Sequence, residues 1–216
     1  MSLLTTGIVH AQSPIPSIAT AVPAASAIPA SAGDTSEIII TARVADTVRM
    51  EKDRFLGERR DAETQWATLR EQAEKLKAAM AEVNDAISAV NAKEKLAKKD
   101  KRDDDRIFAL MEKKQLERSL ILLEARYDLR RAQAEHMRLL RDHLDAAIRA
   151  DDAELAIAER EAQVVPNDPA QRSAFQELTS RWLLALRART ARAYDVEDRR
   201  FKVVDAQIEL LKRQRS

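Results

Sequence analysis

Ala62-Glu63-Thr64-Gln65-Trp66-Ala67-Thr68-Leu69-Arg70-Glu71-Gln72-Ala73-Glu74-Lys75-Leu76-Lys77-Ala78-Ala79-Met80-Ala81-Glu82-Val83-Asn84-Asp85-Ala86-Ile87-Ser88-Ala89-Val90 is the stretch whose reading decides the fold. Apolar residues fall at Ala62, Trp66, Leu69, Ala73, Leu76, Met80, Val83, Ile87 and Val90, spaced 4-3-4-3 without a break. That spacing averages 3.5 residues, the a/d repeat of a left-handed coiled coil. A half-buried strand would instead alternate every second residue. The same frame runs back through Phe55 and Val48 and forward to Ala97, with Lys52, Arg59 and Glu94 at its ends. The seam is therefore read as Val48, Phe55, Trp66, Leu69, Leu76, Met80, Val83, Ile87 and Val90, with small alanines between them.

Outward from that stretch, composition agrees. The chain has 216 residues with three Gly, six Pro and no Cys. The glycines are Gly7, Gly33 and Gly57, and no proline occurs between Ile38 and Val165. Sheet proteins need more turn formers than this. Charged residues make up 34% and aromatics 4%, the profile of long helices. The absence of Cys removes disulfides, thiol catalysis and thiolate metal sites. Thirty-seven basic residues against thirty-six acidic leave a net charge of +1. That balance gives no reason to expect nucleic acid or an anionic membrane as the main partner. No run approaches the roughly 20 apolar residues that span a bilayer.

Two corners divide the helical region. The first is the charge run Lys93 to Arg106, in which only Leu96 and Ala97 are uncharged. Lysines come first and Asp103-Asp104-Asp105 follow. Cations suit a helix C-terminus and aspartates the next N-terminus. A helix end near Lys98 and a new start near Asp103 follow, with one continuous helix as the alternative. The second corner is Val164-Val165-Pro166-Asn167-Asp168-Pro169, where Asp168 reads as an N-cap and Pro169 as the first helical residue.

The expected helices are 44–98, 103–164 and 170–214. The middle one carries a seam of Leu116, Leu120, Leu123, Tyr127, Ala134, Met137, Leu144, Ile148, Leu155 and Ala158. Leu122, Leu129, Leu140 and Ala147 widen it, which implies contact with more than one neighbour. The third carries Phe175, Leu178, Trp182, Ala185, Leu186, Val196, Phe201, Val204, Ile208 and Leu211. Residues 170–216 hold eleven basic and six acidic residues, so this segment is positive against a negative remainder. The fold class is all-α: an elongated antiparallel helical hairpin or three-helix coiled-coil bundle, spanning 44–216. The long seam also predicts a homo-oligomer.

Residues 1–36 differ in kind. They carry four prolines and a single formal charge, Asp34, and read as a disordered leader or linker. Val9-His10-Ala11 fits the small-residue pattern of a signal cleavage site, although a basic start is missing. Export is one reading and a chance match the other. After the leader come Glu37, Ile38, Ile39, Ile40 and Thr41, followed by Ala42 and Arg43; these β-branched residues in a row favour extended backbone. An acidic residue, β-branched residues and Thr-Ala resemble the TonB box of TonB-dependent outer-membrane receptors. The resemblance implies that residues 37–43 add a strand to the sheet edge of a protein partner. Nothing downstream resembles a receptor barrel, and an apolar lead-in to the first helix is the other reading.

No constellation carries catalysis. His136 and His143 are seven apart, whereas metal ligands on one helix come three or four apart. The Asp triplet is explained by helix starting. No catalytic residue, metal ligand or cofactor is expected. Arg181, Arg189, Arg192 and Arg199 fall near one helical stripe and could form a basic surface for phosphates. The functional expectation is a non-enzymatic scaffold, spacer or assembly factor working through protein partners, placed in the periplasm or cell envelope, or else in the cytoplasm. The alternative is a module that binds nucleic acid or an anionic membrane through the third helix.

Overall fold

The computed structural model describes residue 43, residues 45–161 and residues 168–215. The leader 1–36 and the strand-addition segment Glu37 to Thr41 lie outside the described residues, as does most of the second corner. The described chain is all-α. Helix α1 spans Ala45–Lys99, α2 spans Asp103–Glu161 and α3 spans Pro169–Arg215. At 1.5 Å per residue these are rods of about 80, 90 and 70 Å. The expected limits hold to within one residue at both ends of α1, at the start of α2 and at both ends of α3.

The first corner is a turn of three residues. Arg102 N–H donates to Ala97 O at 2.9 Å, and Lys101 N–H donates to Lys98 O at 3.4 Å. These are the two bonds of a Schellman motif, whose C′ residue sits in left-handed backbone and is usually Gly. Here Lys101 takes that place, with φ of 54°. Arg102 O then accepts from Arg106 N–H and opens α2. Asp103, Asp104 and Asp105 fill the first turn of α2, while Lys98 and Lys99 close α1, as charge order predicts. At the second corner, Asp168 caps α3: its Oδ1 accepts from Ala170 N–H at 2.9 Å, with Pro169 as first helical residue.

Helix α2 is central and packs on both α1 and α3, which do not pack on each other through their backbones. Its wide apolar stripe thus has two neighbours, as the sequence implies. Pairing is antiparallel. On α1 and α2, Lys52 meets Asp152, Arg59 meets Asp145, Glu63 meets Arg141 and Lys93 meets Glu112. On α2 and α3, Arg199 meets Glu135 and Arg213 meets Glu124.

The α1 seam faces α2. Val48, Phe55 and Val90 are buried; Trp66, Leu69, Leu76, Met80, Val83 and Ile87 are half-buried. The core gathers on Phe55, Ala62, Leu144 and Ala147, with Leu140 and Ile148 packed against it. Alanine at 62 and 147 lets the helix axes approach, and Phe55 fills the space beside them. Burying such a ring stabilises by about 2–3 kcal/mol.

Two expectations change. The α1 seam is covered by α2 of the same chain, so a second copy would need another surface. In the C-terminal half of α3, the residues that face α2 are Val196, Val203, Ala206 and Leu210, while Phe201, Val204, Ile208 and Leu211 are exposed. Both sets have helical 4-3 spacing, so periodicity does not choose between them. The choice follows the register begun at Phe175, Leu178, Trp182 and Ala185, which carries α2 contact to Val196 and Val203.

Candidate functional site

The densest chemistry sits where the start of α1 meets the end of α2. Three carboxylates and two guanidinium groups from four parts of the chain converge there. Arg43, just before α1, donates to Glu154 of α2 from its backbone N–H at 3.1 Å, from Nε at 2.9 Å and from Nη2 at 2.7 Å. Its Nη1 donates to Glu51 of α1, and its Nη2 reaches Asp151 of α2 at 3.3 Å. From α3, Arg189 reaches Glu51 at 3.6 Å and Asp151 at 4.0 Å. The Arg189 guanidinium also lies 5.1 Å over the Phe55 ring, with Arg54 on the same ring at 5.0 Å. Such contacts favour a cation by electrostatic attraction to the ring face.

Asp151 is fully buried and Glu154 nearly so. Burial pushes the Asp151 carboxyl up to about 6, reinforced by the negative charge of Glu51 and opposed by Arg189 and Arg43. Among the described residues its Oδ2 has no hydrogen-bond partner. Burial also raises Glu51, but the Arg43 hydrogen bond and charge outweigh it and hold that carboxyl below its usual range. The Glu154 hydrogen bond, against the cost of burial, raises Arg43 further above neutrality. The cluster is closed on itself: each carboxylate points at an arginine. Its physical effect is to tie the root of α1, the end of α2 and the middle of α3 together.

The four arginines read as a basic stripe are divided. Arg189 joins the buried cluster, and Arg199 turns to Glu135 of α2 at 3.6 Å. Arg181 pairs with Glu177 and Arg192 with Asp195, both on α3 and both exposed. Both histidines line the α2–α3 contact. His143 Nδ1 lies 3.2 Å from Arg189 O, and His136 bonds the Val196 backbone. Burial lowers both imidazoles below their ordinary value. Among the described residues no group of three or more His, Asp or Glu side chains could hold a metal ion. No described helix is long and apolar enough to cross a membrane.

Sequence reading missed two features. Arg43 and Glu51 gave no signal, because the α2 and α3 residues that complete their cluster, Asp151, Glu154 and Arg189, lie about a hundred residues or more away. The second is an exposed apolar tip. Arg213, near the end of α3, meets Glu124, so about five turns of α2 extend beyond α3 toward the first corner. Over that stretch α1 is the one described helix beside α2. Phe108 and Met111 continue the line of α2 residues that α3 covers elsewhere, through Leu122, Ala125, Leu129 and His136. They are 71% and 64% exposed, with Ile107 and Leu96 beside them.

Compared with known proteins, the chain matches no family, no curated protein and no solved structure.

Proposed function

We propose that this protein is a non-enzymatic helical scaffold or spacer that works through protein–protein contacts. The observation that carries this reading is the apolar tip of the α1–α2 hairpin, with Phe108, Met111, Ile107 and Leu96 uncovered. Exposed large apolar side chains gathered at one place favour a protein partner. Stiff helices then set the distance between that tip and whatever holds the root at Arg43. The closed ion cluster supports a mechanical role for the root, since it fastens Arg43, just ahead of α1, to α2. Placement in the bacterial cell envelope is part of the proposal. It is supported by the Val9-His10-Ala11 pattern and by the TonB-box-like segment directly before Arg43. Binding of nucleic acid or anionic lipid by α3 has less support, because Arg189 and Arg199 are engaged with carboxylates of the other helices.

The test is site-specific photo-crosslinking in the source cells. A photoreactive residue at Phe108 or Met111 is expected to give a discrete adduct, while one at exposed Arg181 gives none. Absence of adducts at both tip positions would remove the reading. Cell fractionation checks the placement, and recovery from the cytosol alone would sink the envelope assignment.

A further inference from the structure

The outer face of α3 carries a second, uncovered seam. Tyr194, Phe201 and Ile208 are seven apart, and Val204 and Leu211 fall three residues after the last two. All five are exposed, Tyr194 by 74% and Phe201 by 69%. They lie on the side of the helix away from Val196 and Val203, which α2 buries. A single line at the 3.5-residue repeat fits another helix, because that repeat keeps the stripe on one side of a left-handed crossing.

We propose that a second copy of this chain covers the stripe, with the two α3 helices antiparallel about a two-fold axis at Ala206. This rests on the reading of a scaffold that works through helix contacts, and it names one partner. In antiparallel pairs an a residue packs on a d residue of the other helix. The axis at Ala206 sets Phe201 on Leu211 of the second copy and Val204 on Ile208, each twice by symmetry. The charges then match. Glu197 meets Arg215 of the second copy, and Asp198 meets Lys212. Arg200 lies beside the neutral Gln214. The one like-charged meeting is Asp205 with its own copy at the axis. A parallel in-register pair is worse, because it places Glu197 on Glu197 inside the seam, where desolvation makes like charges costly. The orientation therefore follows from charge complementarity, and the contact itself from the apolar line.

Sedimentation equilibrium of the full chain between about 1 and 100 μM should give a dimer with measurable dissociation. Phe201→Asp with Ile208→Asp should weaken it about a hundredfold or more, since both sit at the centre of the contact. Helical circular dichroism should not change, because both positions are exposed. Asp205→Asn separates the orientations. It should tighten an antiparallel dimer about fivefold by removing the like-charged meeting, whereas in a parallel dimer it removes the attraction to Arg200 and loosens it. The chain has no Cys, so single cysteines report directly. Gln207→Cys, near the axis, should cross-link two copies on oxidation, and Leu211→Cys, far from its own copy, should not. A monomer at every concentration would leave the stripe to some other helix and overturn the proposal. So would a dimer that survives the double substitution, one that loosens with Asp205→Asn, or one that cross-links through Leu211→Cys and not Gln207→Cys. These results and the photo-adducts at the tip are independent, so either reading can fail alone.

Discussion

Lys101 holds backbone that glycine usually holds. Its φ of 54° brings Cβ close to the following carbonyl, at a cost of about 1 kcal/mol. Lys101→Gly should therefore stabilise the chain by roughly 0.5–1 kcal/mol, raising the melting temperature by about 1–4 °C. A differential scan checks this, and a lower melting temperature would contradict the Schellman geometry. Asp151 is the second residue with a measurable signature. Its carboxyl titrates near 6 in the fold because burial disfavours the charge. In the unfolded chain it titrates near 3.9. Between those values the folded state binds the extra proton, so this group makes the fold more stable as pH falls from about 6 to about 4. Asp151→Asn should remove that contribution, of order 3 kcal/mol, and flatten the urea midpoint across this window. A slope unchanged in the variant would place the titration elsewhere.

At the scale of the helix, the histidines of α2 act in the opposite sense. His136 and His143 both face α3, and burial holds both below their usual titration range. The unfolded chain takes up protons near pH 6.5 while the packed helices resist. Their contribution to stability is present above 6.5 and declines as pH falls through the folded values. Acid should therefore loosen the α2–α3 contact. Hydrogen exchange of α3 amides should quicken between pH 7 and 5, after correction for intrinsic rates, and His136→Gln should blunt the change. Exchange that stays constant in the native chain would refute this. The N-terminus of α3 offers a simpler check. Asp168→Ala removes the cap on Ala170 N–H and should cost about 1 kcal/mol, read as a drop in denaturant midpoint. The Phe55→Ala change removes the ring from the main core cluster and should cost about 3–5 kcal/mol. It also removes the surface on which Arg189 rests.

For the three helices together, the decisive fact is offset. Helices α1 and α2 pair from the root to the first corner, but α3 reaches only as far as Glu124. Among the described helices, the hairpin beyond it has a single interface, and Phe108 and Met111 are exposed. Phe108→Lys with Met111→Lys should therefore change folding stability by less than about 0.5 kcal/mol, as expected at exposed sites without buried partners. A large loss would mean that these side chains support the hairpin and are not a free docking surface.

Much of this was legible in the chain. The 4-3 spacing from Val48 to Ala97 fixes a helix and its buried side, because only one face of a helix repeats at that interval. Charge order located the first corner within one residue, since helix ends favour opposite charges. Asp168-Pro169 located the third helix, because a capping carboxylate and a fixed φ define a start. Tertiary structure decided the rest. It chose α2 as the partner of the α1 seam, which periodicity leaves open, since any apolar stripe can fill the holes. It turned Phe201, Val204, Ile208 and Leu211 outward, because one helix carried two stripes and only one could meet α2. It brought Arg43 and Glu51 to Asp151 and Glu154, and Arg189 to both, three parts of the chain remote in sequence that become neighbours only when three helices lie side by side.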